Sequence, residues 1–137
     1  MAFKKGFIVI NMFKYKAFLI PDNPLVKDEN RLLQLAASVE QVSGHPLGEA
    51  IVAEANARGL RLENPAGFTA DMGQGVEAEI QGHRVMIGSP GMFQRRGLFL
   101  NGLESVVDKI KAEAQTPVLI AVDEVPCGVI GIADTLQ

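Results

Sequence analysis

Leu32, Leu35, Ala36, Val39 and Val42 recur three and four positions apart, which predicts a helix from about Asp28 to Ser43 with one buried stripe. Glu40 falls on the flank of that stripe, in line with Leu33 and Ala36, at the edge of the core. A second helix is expected from Pro46, because proline lacks only an N–H that the first helical position leaves unpaired anyway. Leu47, Ala50 and Ile51 form its inner face, and Gly59 after Arg58 supplies a left-handed stop. The period then shortens. Val76, Ala78 and Ile80 alternate with Glu77 and Glu79, Gln81-Gly82 makes a turn, and His83 to Ile87 returns. A two-residue turn sets Glu79 opposite Arg84, Ala78 opposite Val85 and Val76 opposite Ile87. Ser89-Pro90 reads as the cap and first turn of a short helix ended by Gly97. A further helix from Leu103 to Ala114 turns Val106, Val107 and Ile110 inward. Val118 to Val122 and Val125 to Ala133 read as two apolar strands. Asp123-Glu124 is a poor tight-turn pair, so a loop longer than two residues is expected between them. Helices therefore fall between groups of hairpin-linked strands, which predicts an α+β fold: an antiparallel sheet of about six strands with helices packed against it.

The first twenty residues stand apart, carrying Lys4, Lys5, Lys14 and Lys16 and no acid. Their longest uncharged run, Gly6 to Phe13, is too short to span a bilayer, and the lysines that follow make a poor signal peptide. Residues 1–20 are expected to be a short strand pair or a leader added to the domain, with Pro21-Asp22-Asn23-Pro24 as the boundary and residues 21–137 as one folded unit. At 137 residues and 47% hydrophobic content the chain can bury a core of its own. A net charge of −3 without a basic stripe excludes a nucleic-acid surface. Cys127, the sole cysteine, cannot form an internal disulfide and suits a reducing compartment; one thiol without partners reads as a buried strand residue, and no metal site is expected. His83, beside its turn, is expected to be solvated.

Gly73-Gln74-Gly75-Val76-Glu77-Ala78 superficially matches the dinucleotide fingerprint, but that loop must open a helix, and here it opens a strand. The phosphate-cradling loop with its lysine is absent as well. What remains is a pair of glycines against which a flat ligand could lie, or a plain tight turn. His45 is either a helix cap or a neutral imidazole, kept so by the helix dipole, able to hydrogen-bond and lie against an aromatic base. Glu40 is either an ordinary solvated carboxylate or an acceptor for an exocyclic amine. Taken singly, each plainer reading is the better one; in combination with the glycines the balance shifts toward a nucleotide.

Glu40 with Ser43-Gly44-His45-Pro46-Leu47, then Gly73-Gln74-Gly75-Val76, then Gly88-Ser89, resembles the nucleotide-binding domain of heavy-metal-transporting P-type ATPases, the copper, zinc and cadmium type. The stretch from Leu32 to Glu40 resembles the helix before the family's His-Pro motif. Thr116 to Asp123 and Gly131 to Thr135 resemble its returning strands, so the likeness covers residues 21–137. It implies that Glu40 binds the adenine amine and His45 packs beside the ring. Gly73 and Gly75 would let the nucleotide lie on the backbone, and Gly88 with Ser89 would line the ribose and phosphate side. The family commonly has asparagine where this chain has Ser89, and often glutamate where it has Gly44. Nothing in residues 1–30 matches the family's phosphorylated Asp-Lys-Thr-Gly-Thr motif. The resemblance therefore implies a monomeric cytoplasmic domain of an integral membrane pump. It would bind ATP, as Mg-ATP in the intact pump, for a phosphorylation domain and an actuator domain that are its partners. It would have no catalytic residue and no membrane or nucleic-acid contact of its own. The alternative is a degenerate domain of the same fold that serves as an interaction or regulatory module without nucleotide.

Overall fold

A computed structural model describes residues 8–11, 26, 28–71, 74–98 and 103–133. Its elements, in chain order, are β1 (Ile8–Asn11), α1 (Glu29–Glu40), α2 (Pro46–Ala57), β2 (Ala66–Asp71), β3 (Gly75–Ile80), β4 (His83–Gly88), α3 (Pro90–Arg95), α4 (Leu103–Ala112), β5 (Gln115–Val122) and β6 (Val125–Ala133). The strands form one six-stranded sheet in the order β1-β6-β5-β4-β3-β2. From β2 to β6 every neighbouring pair is antiparallel, which is the α+β arrangement expected from the hairpin pattern. The departure is β1, which joins the far edge parallel to β6, with Ile8 opposite Gly128 and Asn11 opposite Gly131.

Alternation along the central strands decides which helix covers which face. Val85, Ile87, Val118, Ile120 and Ile130 are buried in one cluster with Leu32, Leu33, Ala36 and Ile51 of α1 and α2. The intervening residues Met86, Leu119, Ala121 and Val129 are buried in a second cluster with Met92, Phe93, Val107 and Ile110 of α3 and α4. A strand covered on both sides must be apolar at every position, and β5 reads that way from Val118 to Val122. β3 keeps Val76, Ala78 and Ile80 buried while Glu79 on its other side is exposed.

The β3–β4 register is the one the side chains dictate: Glu79 faces Arg84, Ala78 faces Val85 and Val76 faces Ile87. Gln81 and Gly82, with φ of 53° and 81°, make the mirror-image turn that suits a right-twisted hairpin. β5 and β6, expected to be joined by a longer loop, are instead closed by the two residues Asp123 and Glu124, with φ of 52° and 68° and Val122 opposite Val125. Contacts outside the hairpin offset the unfavourable backbone. The Asp123 carboxylate accepts the Arg84 N–H at 3.0 Å through Oδ1, its Oδ2 lies 2.7 Å from His83 Nδ1, and its own N–H donates to the Arg84 carbonyl at 2.8 Å. His83 is thus tied to the neighbouring turn rather than simply solvated. The Arg84 N–H, and then His83, hold the Asp123 carboxyl below its usual range. That contribution is therefore present at neutral pH and lost as pH falls through the depressed value. Asp123→Ala is expected to speed hydrogen exchange at the Arg84 amide and to destabilise the domain by about 1 kcal/mol, since the turn is half-exposed.

Two further corrections concern α1 and Cys127. The helix ends at Glu40 rather than Ser43, because Val42 and Ser43 bond back three residues to Val39 and Glu40 in a tightened last turn. That swings Val42 off the buried stripe, and it is 51% exposed. Cys127 is buried as expected; its thiol points a weak hydrogen bond at the Ile120 carbonyl, and burial pushes its pKa up to about 12.

Candidate functional site

The end of α1, the cap of α2, one end of the β2–β3–β4 meander and the start of β5 enclose a cleft of about 290 Å³. Leu47, Phe68, Val76, Ile87, Pro117 and Val118 provide apolar walls. Glu40, Ser43, His45, Gln74, Ser89 and Thr116 provide the polar points. Apolar walls with a few convergent polar groups are the ordinary make-up of a small-molecule site. Among the described residues no lysine or arginine lines it.

Glu40 is the last residue of α1 and is only 9% exposed. Its position at the negative end of a helix and its burial both oppose ionisation. Desolvation raises its pKa above the ordinary carboxylate value; the Ser43 hydroxyl and the nearby His45 pull in the opposite direction. Ser43 donates its hydroxyl proton to Glu40 Oε1 at 2.8 Å. The same Ser43 oxygen accepts the His45 N–H at 3.2 Å. Gly48, in the first turn of α2, lies directly against this carboxylate: a β-carbon there would collide with Glu40 Oε1 and come within 2.8 Å of Ser43 Oγ. Sequence reasoning quotes Ser43 only as part of the His-Pro stretch and assigns neither it nor Gly48 a role. The available signal is a glycine inside a helical stretch, where alanine is preferred unless something sits against it.

His45 caps α2: its Nδ1 accepts the Leu47 N–H at 3.1 Å. Accepting through Nδ1 leaves the imidazole proton on Nε2, so one ring edge closes the helix and the other is a donor on an exposed face of the cleft. Capping and ligand contact, posed as alternatives by the sequence, are compatible at this residue. Gly44 before it takes a φ of +71° with nothing within 4 Å of a would-be β-carbon, so glycine fits there for backbone reasons.

Gly75 and Gly88 are cross-strand partners and both border the cleft. Their lack of side chains has a second cause on the α3 side. A β-carbon on Gly75 would collide with the Ile87 carbonyl and come within 2.6 Å of Met92 Sδ and 2.7 Å of Gly88 Cα. One on Gly88 would lie 2.7 Å from Met92 Cε and 2.9 Å from the Gln74 carbonyl. Met92, fully buried, seats α3 over the glycine pair. Ser89 caps α3, accepting the Met92 N–H at 3.1 Å, and donates to Gln74 Oε1 at 3.0 Å, while its own N–H donates to the Gln74 carbonyl at 2.9 Å. Of the six residues picked from sequence, Glu40, His45, Gly75, Gly88 and Ser89 come together around one cleft; Gly73 lies outside the described residues. Gln74 of the same glycine bend joins them, as do Phe68 and Thr116, which the fold brings there.

No family model matches the chain. A copper-exporting P-type ATPase of Vibrio cholerae serotype O1 is 39% identical over 110 residues, which are 80% of this chain and 12% of that protein. A zinc-transporting PIB-type ATPase in its E2.Pi state superposes with a TM-score of 0.71 at 34% identity, covering 80% of this chain and 17% of that one. The N-domain of HMA8, a copper-transporting P-type ATPase, superposes with a TM-score of 0.62 at 31% identity, covering 81% of this chain and 93% of the other. This chain belongs to the N-domain family of heavy-metal P-type ATPases. The N-domain spans only a small part of the length of the full transporters it matches. None of its described helices is long and apolar enough to cross a membrane.

Proposed function

We propose that this N-domain binds ATP by the adenine end and presents the γ-phosphate to a phosphorylation domain elsewhere in a heavy-metal pump. The observation that carries the reading is the convergence of a buried carboxylate, an imidazole Nε2–H and bare backbone at Gly75 and Gly88 on one apolar cleft. Glu40 accepts from the 6-amino group, His45 lies beside the ring, and the Phe68 and Val76 walls take the faces of the base. Gly73 belongs to the same bend in this reading, and Gly88 with Ser89 borders the ribose and phosphate side. The absence of lysine and arginine from the described lining favours a site for the base, with the triphosphate directed outward. Phosphate transfer then depends on how the domain positions the nucleotide, as Mg-ATP, against a reacting aspartate on another domain; this domain supplies proximity and no reacting group. In that reading it works as a cytoplasmic domain alongside phosphorylation and actuator domains.

A few hydrogen bonds and stacking, with no lysine or arginine among the described residues lining the cleft, give a dissociation constant of about 0.1–1 mM. Backbone amide shifts on titration with ATP test this directly: changes centred on Glu40, His45 and Gly75 are expected. No change up to several millimolar would overturn it in favour of an interaction module that has lost its ligand. His45→Gln is expected to weaken ATP binding about fivefold with little loss of thermal stability, since Pro46 still opens the helix and glutamine still has a polar side chain near the cap.

A further inference from the structure

We infer that Ser43 is a positioning residue that sets nucleobase selectivity: it pins one oxygen of the Glu40 carboxylate, leaving the other free to accept from a 6-amino purine and to refuse a 6-oxo purine. The inference deepens the adenine-binding reading and rests on it. Its basis is the geometry around one hydroxyl. Ser43 Oγ donates to Glu40 Oε1 at 2.8 Å and accepts the His45 N–H at 3.2 Å, so a single atom joins the carboxylate to the cap that orients the imidazole. Gly48 closes the other side of Oε1, where any β-carbon would displace it. The carboxylate is therefore held on one oxygen by a hydroxyl and a bare helix turn, and Oε2 is the atom left for a ligand.

A hydroxyl that donates to a carboxylate favours its ionised form, whereas burial at a helix C-terminus favours the protonated one. Ser43 opposes the second tendency, in agreement with the direction of its effect on Glu40. Of the other groups near Glu40, His45 acts in the same direction as Ser43. It sits at the cap of α2 and is exposed to solvent, as is Glu49 in the first turn of that helix. The turn from Gln41 to Gly44 carries no titratable side chain, and β3, β4 and β5 line the cleft with Val76, Ile87 and Thr116. The protonation state matters because the two purine classes differ at C6. Adenine presents a donor there, which an ionised carboxylate accepts; hypoxanthine presents a carbonyl, which an ionised carboxylate repels and a protonated one can satisfy.

The test titrates the full chain with ATP and with inosine triphosphate between pH 5.5 and 8, following amide shifts in the unaltered protein, Ser43→Ala and Ser43→Thr. Comparing proteins with the same nucleotide cancels the nucleotide's own titration. The unaltered protein is expected to prefer ATP about tenfold at pH 7.5, with the preference shrinking on acidification. Ser43→Ala is expected to lose about fivefold in ATP affinity, to narrow the preference to about twofold, and to begin its acid decline at a higher pH; Ser43→Thr, which keeps the hydroxyl, restores both. A folded Ser43→Ala protein with the original ATP preference and pH profile overturns the inference. Should that variant not fold, an unaltered protein that binds ATP and inosine triphosphate equally at pH 7.5 overturns it as well. Absence of ATP binding in the unaltered protein is a different failure, that of the adenine site itself.

Discussion

Gly75→Ala is expected to destabilise the domain by about 2–4 kcal/mol, because the added carbon meets atoms that cannot move away. Its nearest neighbours are the Ile87 carbonyl and Gly88 Cα, both on the main chain of the adjacent strand, and Met92 Sδ, inside the α3 core. Making room means separating β3 from β4 or lifting α3. Gly88→Ala differs in kind. There the closest atoms are the far end of the Met92 side chain, with the Gln74 carbonyl next. A double-mutant cycle with Met92→Ala separates the two positions. Truncating Met92 is expected to recover about 1 kcal/mol of the Gly88→Ala penalty and little of the Gly75→Ala penalty, measured as shifts in urea midpoint. Equal coupling at both positions would mean that Met92, rather than strand contact, accounts for both glycines. Loss of nucleotide binding in either variant therefore has to be read at a temperature where the variant is folded. A glycine that borders a ligand cleft is not by that fact alone a ligand residue.

The same distinction explains what could be read from the residues. Signals that act within a few positions were legible: Pro46 after His45, Ser89 before Pro90, and the charge and apolar pairing that fixed Val76 opposite Ile87. Contacts made by distant segments were not. Ile8 to Asn11 pair with Gly128 to Gly131 across almost the whole chain, and nothing local announces a parallel edge strand. The two-residue Asp123-Glu124 turn breaks turn preference because Arg84 and His83 of another hairpin hold its carboxylate. β2 escapes notice because its side chains are largely exposed and a bulge interrupts its register between Ala66 and Thr69. In the cleft, Glu40 and His45 stand out by residue type, while Ser43 and Gly48 acquire meaning only once α1 and α2 have brought them against the same carboxylate.

Glu40→Gln is expected to lower ATP affinity about tenfold while leaving the fold as stable as before, or more so, at neutral pH. Both halves follow from one fact: the fold raises the pKa of this carboxyl by burying it. A raised acid contributes most to stability while protonated, and that contribution disappears as pH rises through the folded value. Burial at the negative end of α1, with one hydroxyl to compensate, works against the ionised form of Glu40. Glutamine keeps the shape and can still take the Ser43 proton, but removes the charge that the site desolvates. It also removes the ionic acceptor for the 6-amino group, replacing a charge-assisted hydrogen bond by a neutral one. Calorimetric melting and an ATP titration on the same variant check the two halves together. A variant that melts lower but binds ATP normally would show that Glu40 serves the fold alone. One that melts higher and binds poorly identifies an acid retained at the expense of stability, which is a reason for Ser43 and Gly48 to be built around it.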